Sequence, residues 1–232
     1  DLLEMICGAR LTYNYYSIGG VNYDLPEGFS IKVMGFLDHF EVAVEQMHRL
    51  VTYNQIFINR FANVAAVSPE MAMDYNFVGP NLRGSGVKYD VRRNKPYSIY
   101  DKLDFEIPIG TASVGTLGDC YDRYFVRVEE IRESVKILRQ CLQQIPEGEI
   151  QAKVKNAIKP PVGHKYIRTE TPRGDTGYFI YSDGKTSPSR LKIRTGSFTG
   201  MSIIPELAKN IFIADLVAVI GSLDIVAPEL DR

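Results

Sequence analysis

The sequence predicts a mainly helical α+β fold, a helical bundle carrying a small antiparallel β meander. Tyr121, Tyr124, Val128, Ile131, Val135, Leu138, Leu142 and Ile145 recur at intervals of 3, 4, 3, 4, 3, 4 and 3, the seam of a long helix. Val33, Leu37, Phe40, Val44, Met47 and Val51 repeat at 4, 3, 4, 3 and 4 and mark a second one. From Tyr166 the period changes, and Arg190-Leu191-Lys192-Ile193-Arg194 alternates as a half-buried strand does. Two matching seams suit antiparallel packing, and 232 residues suffice for a buried core.

Taken in chain order, Asp1 to Tyr16 reads as a helix that stops near Gly19-Gly20. Its first residues already look like a helix interior, so the chain is expected to be a piece of a longer one. The second helix spans about Ile31 to Asn54. Ser68-Pro69-Glu70 has the cap-then-proline signature of a short helix reaching about Asn76. Gly79 to Gly118 is rich in glycine and proline and reads as a long ordered loop held by Tyr89, Tyr97, Tyr100 and Phe105. Asp119 caps the long helix, and Pro146 and Gly148 stop it. Its other face pairs Asp119 with Arg123, Glu129 with Arg132 and Glu133 with Lys136. Strands over Tyr166 to Glu170, Gly177 to Tyr181 and Arg190 to Arg194 alternate with turns at Pro172-Arg173-Gly174-Asp175 and Asp183-Gly184. One helix or two follow from about Ile204 to Ile220, and then a tail from Gly221 to Arg232. The chain thus divides into a bundle over 1–160 with its loop at 79–118, a meander over 161–200, and C-terminal helices with a tail over 201–232, all parts of one domain.

Composition and motifs exclude several functions. Basic and acidic residues number 27 and 28, so no strongly basic face awaits nucleic acid. The most apolar run, Ile211 to Ala227, carries Asp215 and Asp224, which argues against a bilayer span. Cys7, Cys120 and Cys141 form no C-x-x-C pair, and His39, His48 and His164 form no close ligand pair, so no metal site is expected. The sparse, odd cysteine count suits a reducing compartment. The thiols read as buried, and His39 and His48 as lying on the partly exposed side of their helix. Gly184-Lys185-Thr186 imitates the end of a phosphate loop, but Phe179 stands where its first glycine belongs. Gly84-Ser85-Gly86 is too short for a dinucleotide fingerprint, and Gly196-Ser197-Phe198-Thr199-Gly200 misplaces the serine of a nucleophile elbow. What stands out is Asp224 between Leu223 and Ile225, with Glu229 and Asp231 crowding Arg232. These carboxylates either satisfy backbone N–H groups and pair with Arg232, or line an apolar pocket for a ligand with a few polar atoms.

A series of motifs resembles one family. Gly79-Pro80-Asn81-Leu82-Arg83-Gly84-Ser85-Gly86-Val87, followed by Asp90-Val91-Arg92, is similar to a block of the hydrogenase-like, 49 kDa-type D-subunit of NADH-quinone oxidoreductase (respiratory complex I). So are Tyr100-Asp101, Leu103-Asp104-Phe105, Gly118 to Tyr124, Val126-Arg127, Glu129-Glu130 and Ser134. Gly8-Ala9-Arg10, Gly19-Gly20-Val21, Asp24-Leu25-Pro26 and the ending Gly221 to Val226 with Glu229 complete a resemblance that runs in order over the whole chain. It matches the C-terminal three fifths, roughly, of that longer protein.

The resemblance implies a fold like the large subunit of nickel–iron hydrogenases. No cysteine pair stands in the tail to hold nickel, so hydrogen chemistry is excluded on ligand grounds. It implies a quinone-site subunit of a proton-translocating, NADH-linked (NAD-binding) enzyme, with no isolated activity and no cofactor of its own. Its partners would be the complex I subunits B, C, I and H, the last of them embedded in the membrane. Quinone would be the substrate, beside the terminal 4Fe-4S cluster held by the first of those four. The place would be the cytoplasmic face of the cell inner membrane, as a peripheral protein. Asp224, Ile225, Val226 and Glu229 would line the quinone cavity, the apolar pair facing the ring and the carboxylates joining a proton network. Arg10, Thr12, Gly19 and Gly20 would lie near the iron–sulfur partner, and Arg83, Gly84, Asp90, Arg92, Asp119 and Arg123 would form the framework. Thr12 and Ser17 stand where many members carry a cluster-tuning histidine and an arginine. The family's headgroup-binding histidine and tyrosine fall outside this chain, and the stretch from Pro108 to Gly118 is a few residues longer than the common form. A non-catalytic hydrogenase-like scaffold, or a subunit of a related quinone reductase with another electron donor, would share these features.

Overall fold

The computed structural model describes residues 1–155 and 157–231. In chain order, α1 spans Leu2–Cys7, a two-residue hairpin pairs β1 (Tyr16–Ser17) with β2 (Gly20–Val21), and α2 spans Phe29–Met47. A π-helical turn, His48–Thr52, continues α2. Then come α3 (Gln55–Phe61), α4 (Pro69–Asp74), α5 (Gly79–Gly84) and α6 (Val91–Asn94). The long α7 covers Cys120–Gln143. β3 (Gly163–Thr171), β4 (Gly174–Ser182) and β5 (Arg190–Arg194) form the meander, followed by α8 (Gly196–Ser202), α9 (Ile204–Leu207), α10 (Ile213–Leu223) and α11 (Ala227–Leu230).

The long helix is the axis of the fold. Asp119 caps it by accepting the backbone N–H of Asp122 at 2.9 Å, as its sequence position implies. Tyr121, Val128 and Val135 of its seam are buried. On one side α2 packs Val33 and Leu37 against Val135, forming a small core. On the other, Val67, Ala72, Phe77, Leu82, Cys120, Ile203, Val219 and Leu223 make the larger one. The sheet is antiparallel in the order β3-β4-β5, with Thr171 opposite Gly174 across the Pro172-Arg173 turn and Gly177 opposite Arg194. The buried first half of β4 touches α5 and α8, which brings the meander against the bundle.

Several expectations need correction. The first helix stops at Cys7 rather than reaching Tyr16, because Gly8 adopts φ 69° and returns its N–H to Glu4 at 2.8 Å. Ile18-Gly19 is then the turn of the β1–β2 hairpin, with Gly20 opening β2 opposite Ser17, and aromatic Tyr16 suits extended backbone. The loop from Gly79 to Gly118 is ordered, but it contains α5, α6 and a 3₁₀ turn at Tyr100–Lys102, and all six residues of α5 are buried. Pro205 opens α9, and Asn210 with φ 58° separates it from α10. Of the one helix or two expected over Ile204 to Ile220, two form, and the second runs on to Leu223.

At side-chain level, His48 is buried rather than partly exposed. The π turn admits an extra residue and rotates His48 and Thr52 inward, where Thr52 meets the Tyr124 hydroxyl at 2.8 Å and His48 Nε2 meets Arg132 at 3.0 Å. His39 is exposed. Cys120 is buried, while Cys7 and Cys141 are only half-buried because they sit on the flanks of their helices. Glu129–Arg132 and Glu133–Lys136 pair as expected, at 3.2 and 2.5 Å. The Asp119 and Arg123 side chains do not pair, because the Asp119 carboxylate is committed to backbone N–H groups; the two residues meet only through the Arg123 N–H on the Asp119 carbonyl at 3.2 Å.

The seam is incompletely covered. Leu138 keeps 44% of its surface and Phe36 of α2 keeps 47%, and Ile213 and Val217 on α10 keep 89% and 74%. Exposed apolar area of this extent drives association. Residues 1–232 expressed alone should self-associate and lack a sharp melt in light scattering and calorimetry. A monodisperse monomer with a cooperative melt would contradict this.

Candidate functional site

Arg83 is the hub of the site. It leaves α5 almost wholly buried, and its charge is compensated by carboxylates. Glu130 of α7 accepts from its Nε at 2.6 Å and Glu170 of β3 from its Nη1 at 3.0 Å, and Asp90 lies 3.3 Å away. The Tyr89 carbonyl takes another N–H at 3.0 Å. Burial alone would depress the Arg83 guanidinium, but Glu130, Glu170 and Asp90 outweigh it and hold its pKa above the ordinary value. Asp90 caps α6 and receives Arg92 in a fork at 3.0 and 2.6 Å. Arg92 in turn lies over the rings of Phe105 and Tyr100, at 5.1 and 5.9 Å. Gly84 is required beside this hub, since a Cβ there would come 2.9 Å from the Arg123 side chain.

One face of α7 carries Arg123, Arg127, Glu130 and Ser134 at spacings of 4, 3 and 4. Arg123 is fully buried and holds neutral partners: Ser222 Oγ at 3.1 Å, the Ala65 carbonyl at 3.1 Å and Cys120 Sγ at 3.2 Å. Arg127 donates to the Arg123 and Ser222 carbonyls at 2.8 and 2.7 Å and to Asn81 Oδ1 at 2.8 Å. Asn81 donates to the Leu223 carbonyl at 2.9 Å. The end of α10 is thereby gripped, and the next residue, Asp224, takes φ 53°. Its carboxylate lies between Arg173, at 3.4 Å, and Arg127 Nε, at 4.0 Å.

These groups wall a cavity of about 530 Å³ between α2 and α7. Phe36, Leu37, Phe40, Ile131, Val135 and Leu138 form its apolar flank, with Phe36 and Phe40 stacked at 5.5 Å. Arg83, Arg92, Arg127, Glu130, Glu170 and Asp224 form the polar end. Burial, opposed by Arg83, holds the Glu170 carboxyl above the usual range. Burial likewise pulls Arg127 down to about 10. Such a cavity suits a flat apolar ligand with one or two oxygen atoms at one end. Among the described residues, no group of three His, Cys, Asp or Glu could hold a metal ion.

The residues singled out in the sequence fall into five places. Arg83 and Arg92 line the cavity, with Asp90 and Gly84 directly behind them. Asp119 and Arg123 sit at the buried start of α7. In the tail, Asp224 lines the cavity, whereas Ile225 packs onto the larger core. Val226 is half-buried with its N–H on Ser197 Oγ at 3.3 Å, and Glu229 accepts the Ser197 hydroxyl at 2.6 Å and approaches Arg173 at 3.8 Å. Arg232 lies outside the described residues, and Asp224 and Glu229 both face Arg173. Arg10, paired with Glu4 at 2.8 Å, and Thr12 are exposed, and neither lines this cavity. Gly19 and Gly20 lie against Ile150 to Ala152, where a Cβ on Gly20 would come 2.2 Å from the Ile150 carbonyl. Sequence reasoning missed Glu170, Arg173, Asn81 and the roles of Arg127 and Glu130. The spaced charges along α7 were the available signal. Nothing local marks Glu170, whose partners are distant in sequence.

A family model described as the respiratory-chain NADH dehydrogenase 49 Kd subunit matches residues 1–160 and 152–232. The chain is 53% identical over 232 residues to the NADH-quinone oxidoreductase D-subunit 2 of Anaeromyxobacter dehalogenans, covering 100% of this chain and 61% of that protein. The D-subunit of Bacillus anthracis is 47% identical over 232 residues, again 100% of this chain and 62% of the relative. That of Chlorobaculum tepidum is 45% identical over 236 residues, covering 100% and 59%. The chain spans about three fifths of the length of these relatives.

Two outcomes test the network, both read from unfolding of this subunit in the assembled complex rather than of the isolated chain. Arg83→Met leaves three carboxylates without their shared cation and should cost about 3–5 kcal/mol in thermal or denaturant unfolding. A loss below about 1 kcal/mol would mean the carboxylates do not depend on Arg83. Glu170, with its pKa raised in the folded state, binds its proton more tightly folded than unfolded. Its contribution is full below the ordinary glutamate range and is lost as pH rises through the raised value. Glu170→Gln should therefore flatten the decline of the melting midpoint over that window. An unchanged slope would contradict the assignment.

Proposed function

The chain belongs to the family of the 49 kDa subunit of respiratory-chain NADH dehydrogenase, and from that premise we propose that it walls a quinone cavity in a proton-translocating NADH:quinone oxidoreductase. The observation that carries this reading is the cavity at Asp224, with an apolar flank along α2 and α7 and a polar end of three arginines and three carboxylates. A quinone ring is flat and apolar with oxygen atoms at opposite edges. It gains from burial against Phe36, Phe40 and Ile131, and one oxygen finds donors at the arginine end.

Reduction of a quinone to a quinol needs two electrons and two protons. Electrons would come from NADH through an iron–sulfur chain ending at a 4Fe-4S cluster in a neighbouring subunit. This chain would shape the cavity, exclude water with its aromatic flank and hold acceptor and donor groups at the polar end. Asp224 has acceptor capacity left, since its contacts to Arg173 and Arg127 are long. Glu170 accepts from Arg83 Nη1 at 3.0 Å and holds that guanidinium at the polar end. No helix among the described residues is long and apolar enough to cross a membrane. The reading has the protein peripheral on the cytoplasmic face of the inner membrane, against subunits B, C, I and H of the complex.

In the assembled complex, Asp224→Asn should lower quinone reduction about tenfold or more while electron flow from NADH to an artificial acceptor is unchanged. Ile131→Trp, which fills the cavity from α7, should raise the KM for a short-chain quinone and weaken inhibitor binding. Full assembly with unaltered quinone kinetics and inhibitor sensitivity in both variants would overturn the reading.

A further inference from the structure

Arg127 is unlike its neighbouring arginines. Arg83 and Arg92 each pair with carboxylates, and Arg123 is held by neutral groups around it. Arg127 spends three of its five N–H groups on the Arg123 carbonyl, the Ser222 carbonyl and Asn81 Oδ1. Its Nε is buried and has no hydrogen-bond partner. A buried, unused guanidinium donor costs free energy and calls for an explanation. The nearest anionic oxygen is Asp224 Oδ2, too far at 4.0 Å for a hydrogen bond.

Resting on the quinone-cavity reading above, we propose that Arg127 orients the headgroup: its uncommitted N–H edge takes one carbonyl oxygen, and Asp224 beside it accepts the hydroxyl once that oxygen is reduced. The chemistry of the two redox states fits this pair. A quinone carbonyl only accepts hydrogen bonds, whereas a quinol hydroxyl also donates one. A donor and an acceptor 4.0 Å apart at the same end of the cavity serve both states with a small displacement. Access to Nε requires the Asp224 side chain to move aside. It is held there loosely, by Arg173 at 3.4 Å and by no contact shorter than that from Arg127. The backbone around it is fixed instead, by Arg173 Nε on the Asp224 carbonyl at 3.1 Å and by the grip on Ser222 and Leu223. The side chain can therefore swing without loosening the tail.

The test uses the intact complex, with Arg127→Lys and Arg127→Met. Lysine keeps the charge but not the planar fork. Loss of a charge-assisted hydrogen bond should raise the KM for a short-chain quinone about tenfold in Arg127→Met. Arg127→Lys should recover part of it. Assembly and electron flow from NADH to an artificial acceptor should stay at wild-type level. The decisive readout is the infrared carbonyl band of bound quinone labelled with carbon-13 at its carbonyls. In the wild type, one carbonyl should lie below its frequency in detergent alone, and it should shift back in both variants. A merely structural Arg127 would not move that band. If Ile131→Trp impairs quinone kinetics but the band and the KM are unchanged in the Arg127 variants, this proposal fails and the cavity reading stands. If Ile131→Trp also has no effect, both fail. Should Arg127→Met not assemble, absence of a lowered carbonyl in the wild type, or an unshifted one in Arg127→Lys, is enough to overturn it.

Discussion

The site depends on the need to neutralise one buried guanidinium. Arg83 sits on a six-residue helix with no solvent beside it, and its carboxylates arrive from three other elements. Asp90 starts α6, Glu130 comes from the middle of α7 and Glu170 from the end of β3. Each of these carboxylates would be costly to bury without Arg83, and Arg83 would be costly without them. The network therefore contributes little net stability but fixes where four elements meet. A shift of any one by a turn leaves a charge uncompensated, which costs more than an apolar mismatch would.

The same logic continues along α7 with a different balance. Arg123 and Arg127 lie two turns and one turn before Glu130, yet neither has a carboxylate within hydrogen-bonding distance. Both use neutral partners, carbonyl, hydroxyl, amide and thiol, to tie α5, α7 and the end of α10 together. Burial lowers the pKa of each, most plainly for Arg127 at about 10. Charge left undercompensated at a cavity wall is what a polar ligand oxygen would meet. Stacked Phe36 and Phe40 on the opposite flank supply the apolar half of the same environment.

Much of the fold was legible in the sequence, because local signals governed it. The spacing of Val128 and Val135, the cap at Asp119 and the alternation of Arg190 to Arg194 each encode an element directly. Signals failed where one glycine or a distant contact decided the outcome. Gly8 ends α1 early although nothing else before Gly19 breaks a helical pattern. The π turn at His48 reverses that residue's exposure, since periodicity assumes a regular helix. The site was legible in part. Arg83, Asp90 and Arg92 stood out through a resemblance, and Asp224 through its odd position among apolar residues. Glu170 and Asn81 were silent, because their partners lie 87 and 142 residues away. Ile225 shares its neighbour's apolar setting in the sequence and so suggests a cavity wall, but Asp224 at φ 53° turns the chain and Ile225 meets the core.

The claim that the cavity between α2 and α7 receives quinone is tested most directly by a photoreactive quinone analogue in the intact complex. The labelled peptides would be mapped by mass spectrometry, with excess ordinary quinone as competitor. The account predicts competable label within 36–40 and 127–138 and at 170–172, the segments that line the cavity. Label confined to other segments of this chain, or label that ordinary quinone does not displace, would contradict it.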